Sequence, residues 1–212
     1  MLGKRFLIIG LILAAVTLWA PPGQSAYFFD NFNSENGGVG VLNYSGFANW
    51  AVSGGTVDLI GNGYFDFYSG TGHGLYIDLD GSTYQAGLMT SNAINLPGAG
   101  TYTLVFDLAG PWYGNVTESA AYQVIDHNTN QVYASGSYTL TGNVPFAQYA
   151  IPFTVSGPAS IDLNFYEPSS GGSNNMGLLL DNVGVVPLPA SVLLLGSGLL
   201  GLVGLGLRRR KD

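Results

Sequence analysis

From Phe6 to Leu207 the chain contains no lysine and no arginine; its six basic residues are Lys4 and Arg5 at one end and Arg208, Arg209, Arg210 and Lys211 at the other. Twelve of the thirteen acids, all but Asp212, lie inside that cation-free stretch. A fold built there cannot use lysine or arginine ion pairs, so each carboxylate it buries must be met by N–H and O–H donors or by a divalent cation. The same imbalance excludes functions. Nucleic acid and anionic lipid surfaces are gripped by Lys and Arg against phosphate, and this stretch repels both. It offers no lysine for a Schiff base or an isopeptide crosslink, and no arginine to clamp a phosphate. Cysteine is absent from the chain, so no disulfide supports the fold and its stability rests on the apolar core.

Inside the stretch, apolar residues recur with period two in runs of four to nine. In residues 101–109, Tyr102, Leu104, Phe106 and Leu108 fall on one face and Thr101, Thr103 and Asp107 on the other. Residues 56–60, 76–80, 148–155 and 161–165 alternate likewise, and no internal run has helical periodicity. Glycine recurs at turns such as Ser53-Gly54-Gly55 and Asp80-Gly81-Ser82, where a positive φ costs a residue without Cβ little. Short strands punctuated this way predict an all-β antiparallel sandwich over residues 27–186, the size of one domain. Residues 168–175 read as a long surface loop before the last strand.

The two ends read as membrane-directed segments. Lys4 and Arg5, an apolar run from Phe6 to Ala20 and a small-residue stretch ending at Ala26 have the three parts of a signal peptide, residues 1–26. Ala190 to Leu207 is an uncharged Leu/Gly run of eighteen residues, about 27 Å as a helix, which nearly matches a bilayer core. Five glycines between Gly196 and Gly206 weaken such a helix in water but are tolerated in lipid, where backbone groups have no other partner. Basic flanks stay on the cytoplasmic side, so the layout holds both ends inside and exports the middle.

Residues 187–212 have a composite order: Val186-Pro187-Leu188-Pro189-Ala190, the apolar helix over 190–207, then Arg208-Arg209-Arg210-Lys211 and one further residue. This order resembles the PEP-CTERM sorting signal in its VPLPA variant. The resemblance implies an exosortase-type membrane enzyme as partner, with Pro187, Leu188 and Pro189 as recognition elements and Arg208, Arg209 and Arg210 as a stop fixing depth. It implies transient residence in the inner membrane, then release or attachment at the cell surface or in the extracellular matrix, in bacteria that make exopolysaccharide. The variant lacks the acidic residue of the Pro-Glu-Pro core. A permanent membrane anchor is the alternative for the same tail.

Along the domain, Asn49-Trp50-Ala51-Val52, then Gly55 to Ile60, Tyr76 to Ser82, Gly100 to Gly110 and Leu180-Asp181-Asn182-Val183 resemble, in order, the choice-of-anchor surface domains, which are similar to galactose-binding-like jelly rolls. The resemblance implies an eight- or nine-stranded jelly-roll β-sandwich associated with cell walls or carbohydrate, with no catalytic activity. Pro111-Trp112-Tyr113 follows Gly110 where relatives carry polar residues.

Sugars are held by aromatic faces stacked on their C–H surfaces, flanked by amides and carboxylates. Trp112 and Tyr113, in a Gly/Pro turn, are the leading carbohydrate-binding candidates, and Tyr64, Phe67 and Tyr68 form a second loop group; Trp50, inside a strand motif, reads as core. Asp30, Asn33, Glu35 and Asp181 are oxygen donors that either close a calcium site tying the termini together or act singly as solvated or backbone-bonded acids. His73 and His127 are the only histidines, each in a loop or turn, and neither stands in a nucleophile or zinc motif. The sequence therefore predicts a non-enzymatic exported surface or matrix protein with a structural or adhesive role and affinity for exopolysaccharide or another glycan; a secreted carbohydrate-active enzyme is the rival reading.

Overall fold

The computed structural model describes residues 26–83, 85–168 and 174–187. The signal segment, the helix expected over 190–207, and Leu188, Pro189, Arg208, Arg209 and Arg210 lie outside the described residues. Among those described, no helix is long and apolar enough to cross a membrane.

Thirteen strands form among the described residues: β1 (Phe28–Asp30), β2 (Val41–Tyr44), β3 (Trp50–Ser53), β4 (Val57–Gly61), β5 (Leu75–Asp78), β6 (Leu88–Ser91), β7 (Ile94–Leu96), β8 (Gly100–Ala109), β9 (Thr117–Asp126), β10 (Val132–Thr141), β11 (Ala147–Val155), β12 (Ala159–Tyr166) and β13 (Leu179–Pro187). They make two sheets. The first runs β11-β8-β13-β5-β4-β2 with β1 also on β13, and the second runs β10-β9-β12-β6-β3 with β7 also on β12. Every strand pair is antiparallel. The resemblance implies eight or nine strands and thirteen form; part of the excess arises because two long strands are each flanked by a pair of short ones. β5 and β1 follow one another along β13, separated by a bulge between Asp181 and Gly184, and β6 and β7 do the same along β12.

Alternation in β8 sends Tyr102, Leu104, Phe106 and Leu108 into the space between the sheets, where they meet Val124, Leu163, Phe165, Leu180, Val183 and Val185 in one core. Trp50 is part of that core, edge-on to Phe28 and Phe165. Around 25 cal/mol for each Å² of apolar surface removed from water, this layer is the main force holding a chain that has no disulfide.

β4 and β5 depart from simple alternation, since every residue of both is buried. Val57, Leu59, Leu75 and Ile77 face the main core. On the opposite face Ile60 and Tyr76 join Ala109 and Leu179 in a second apolar layer, closed by Leu42, Phe67, Tyr68 and Phe146. The first sheet is therefore covered on its outer face as well, by the strap of residues 62–74 that joins β4 to β5. This cover is what builds a site there.

Candidate functional site

The strap is fixed to the sheet by hydrogen bonds of buried or half-buried groups. Tyr76 presents its hydroxyl upward, accepting from Phe67 N (2.8 Å) and Tyr68 N (3.2 Å). Tyr68 in turn donates to the carbonyls of Val144 (2.8 Å) and Gly110 (3.2 Å). Burial pushes the Tyr76 phenol up to about 12 and raises that of Tyr68, so both remain protonated donors across the physiological range. At the end of the strap, His73 Nδ1 lies 2.7 Å from Asp181 Oδ2, and its ring stacks on Phe146 at 3.9 Å. Gly74 then turns into β5 with φ +71°, where an added Cβ would strike Asn33 Oδ1.

With the strap fixed, its aromatics meet those of the β8–β9 loop. Phe67 stacks on Trp112 with centroids 5.4 Å apart and planes at 17°. Tyr68 meets Trp112 edge-on at 6.4 Å, Phe65 packs on Phe67, and Tyr64 packs on Phe65. Between them and the sheet opens a cleft of about 170 Å³, lined by Phe65, Phe67, Trp112, Tyr113, Asp58 and Asp78 among others. That volume corresponds to roughly a dozen waters. The two aromatic groups singled out in the sequence, forty-odd residues apart, are thus parts of one wall. Trp112 and Tyr113 are 44% and 55% exposed and Phe65 52%, so part of each of these side chains is open to a ligand.

The floor is acidic. Asp58 and Asp78 are direct cross-strand partners on β4 and β5. Asp58 accepts from Asn43 N (2.6 Å), Ser82 N (3.2 Å) and Ser82 Oγ (2.7 Å). Asp78 Oδ1 accepts from Gly177 N (2.7 Å) and Asp80 N (3.0 Å). Burial holds the Asp78 carboxyl well above the usual range, two backbone N–H bonds oppose that, and the Asp58 and Asp80 charges reinforce it. Asp80, raised in the same sense by burial, accepts from Met176 N (3.3 Å). Both floor carboxylates lie side by side rather than on opposite sides of a space for a sugar ring, and Asp58 has committed both oxygens to donors. The arrangement is suited to holding a polar ligand, whereas glycoside hydrolysis needs carboxyls flanking the scissile bond.

The four expected calcium ligands are not brought together. Asp30 accepts from Phe32 N, Asn49 Nδ2 and the Trp50 indole N–H. Asn33 Oδ1 takes Leu75 N at 2.7 Å, and Glu35 takes Ala48 N at 3.1 Å. Asp181 is occupied on the outer face by His73 and by Asn182 N. Each closes its own loop, and among the described residues no three His, Cys, Asp or Glu side chains gather as a metal site. Neither His73–Asp181 nor His127–Asp162 is joined by a serine or threonine hydroxyl among the described residues. Pro187 is the last residue of β13, opposite Tyr102. Sequence reasoning missed Phe65, Asp58 and Asp78 as cleft residues; Asp58 and Asp78 carried a signal, since each interrupts an apolar strand as a carboxylate with no cation to pair with.

No protein-family model and no curated protein matches the chain. Its fold does match that of carbohydrate-binding modules. The CBM22-1 xylan-binding domain of Paenibacillus barcinonensis Xyn10C aligns at TM-score 0.50 over 79% of this chain and 97% of that domain, with 11% identity. The CBM22-1–CBM22-2 tandem of the same protein aligns at TM-score 0.51 and 12% identity over 80% of this chain and 51% of the tandem, the share expected of one module in two. The domain thus shares with those modules a fold of two packed antiparallel sheets.

Proposed function

We propose that this protein is an exported, non-catalytic glycan-binding module that serves as a structural or adhesive component of the cell surface or extracellular matrix. The observation that carries the reading is the Phe67–Trp112 stack above a polar-floored cleft. Flat rings partly free of the protein stack on the C–H faces of sugars, and carboxylates, amides and hydroxyls below them bond the ring hydroxyls. The xylan-binding domain of the same fold supports a polysaccharide as the ligand class. The tail order Pro187-Leu188-Pro189, apolar run, Arg208-Arg209-Arg210 supports export and exosortase-type processing at the inner membrane, with exopolysaccharide as the partner met outside.

A pulldown of the full-length chain in detergent on insoluble polysaccharides tests the binding. The wild type is retained, and Trp112→Ala loses about 1–3 kcal/mol of affinity, the scale of one aromatic stacking partner. Retention of the variant equal to wild type, or no retention of either, refutes the cleft as a glycan site.

A further inference from the structure

We infer that the cleft selects glycans bearing free amines, with the ammonium seated over the Asp58–Asp78 floor beside the aromatic wall. The inference deepens the glycan reading above and rests on it. Three observations converge. First, Asp78 is nearly buried, lines the cleft, and spends Oδ1 on two backbone N–H groups, while Oδ2 has no hydrogen-bond partner among the described residues. Second, its cross-strand neighbour is another carboxylate, Asp58. The other ionisable groups around this face are Asp80 beside it, Glu118 acting on Asp80 from β9, Asp66 within the strap, and His73, which is held by Asp181 and stacked on Phe146. No lysine or arginine exists between residues 6 and 207 to answer those charges. Third, the walls are Phe65, Phe67, Trp112 and Tyr113, whose ring faces carry negative quadrupole and attract cations.

A cation placed here gains on two counts. It offsets the Asp58 charge and takes the place of the proton that burial and that charge favour on Asp78, and it meets ring faces at the same time. An alkylammonium supplies three N–H donors, which suits the open Oδ2 of Asp78. A polymer of uronic acids meets only like charge in the cleft and is rejected. An uncharged sugar stacks on the rings but leaves the floor unrelieved.

Isothermal titration of the full-length chain in detergent at pH 6, where the sugar amine is protonated, decides the matter. The probes are glucosamine oligomers, N-acetylated oligomers of the same length, and neutral xylo-oligosaccharides. The glucosamine oligomers are expected to bind about tenfold tighter or more than the N-acetylated ones, as a desolvated cation beside aromatic faces and a carboxylate warrants. Asp78→Asn keeps the Oδ1 acceptor and the side-chain volume; it brings that ratio close to one, as Asp58→Asn does separately, while Trp112→Ala weakens all binding. Tryptophan fluorescence of each variant verifies folding. Equal affinity for the amine and acetylated forms, or a ratio that survives both Asp→Asn changes, overturns the inference. Binding confined to neutral oligosaccharides overturns it and leaves the glycan reading standing; binding of none of the probes removes both.

Discussion

Asp181 illustrates how a domain without lysine or arginine buries a carboxylate: it is wholly inaccessible, bonded to His73 and to Asn182 N, with Asp107 close by. Burial raises its carboxyl to about 6, against the lowering effect of His73 and of the backbone bond. A group whose folded pKa lies above its unfolded value binds more protons in the native state, so its contribution to stability is complete below about 3.8 and is lost as pH rises through about 6. Asp78 and Asp80 are shifted in the same direction by burial. Half-buried Asp126 is shifted down by its bonds to Thr129 and acts with the opposite sign, but only as pH falls below the ordinary aspartate range. The midpoint of urea unfolding is therefore expected to fall between pH 4 and pH 6. Asp181→Asn should flatten that slope between pH 4 and 6, and a wild-type midpoint that climbs over the interval contradicts the assignment.

At the scale of elements, what could be read from sequence was whatever obeys a single local period. β8, β11 and β12 stand out in their alternation, and β8 in the structure has the expected inward face of Tyr102, Leu104, Phe106 and Leu108. The β9–β10 hairpin was legible only at its turn, where Asp126 accepts from Asn128 N and Thr129 N. Its strands are rich in Ala, Ser and Gly, small residues that give little hydrophobic contrast between faces. The double burial of β4 and β5 was hidden for a different reason, because the strap covering them is glycine-rich and has no period of its own. Trp112 and Tyr113 were readable as exposed aromatics, but the stack with Phe67 depends on a long-range closure that no local pattern encodes. Gly142 is central to that closure. Its N–H donates to Val116 O (2.7 Å) and Asn143 N to Pro111 O (3.0 Å), and a Cβ on Gly142 would overlap the Tyr113 carbonyl. Gly142→Ala must push the β8–β9 loop outward, so a loss of about 1–3 kcal/mol in stability is expected together with weakened glycan retention. Retention and stability both unchanged would mean that the loop is held in some other way.

For the molecule as a whole, the topology separates the chain ends from the cleft. Tyr27 N donates to Val185 O at 2.8 Å, β1 lies along the C-terminal half of β13, and Pro187 sits opposite Tyr102 near the start of β8. Both ends of the described domain thus leave from one end of the sandwich. The cleft opens at the other, where Leu179 is paired with Asp78 and Ala109 and the loop carrying Trp112 begins. β8 runs between the two levels; its ten residues span about 30 Å at the usual rise of an antiparallel strand. A domain tethered through residues beyond Pro187 therefore carries its cleft roughly that far from the tether along the strand direction. Such a layout suits a module that is fastened to a surface and binds polymer beyond it. If an exosortase-type enzyme acts on the tail, intact-mass measurement of the surface-associated protein should give a C-terminus close to Pro187–Ala190, without the Arg208–Lys211 cluster. A mature protein that retains that cluster would make the tail a lasting anchor and would still leave the cleft at the end of the sandwich remote from Pro187, because that position follows from the antiparallel run of β8 and β13 and not from how the tail is processed.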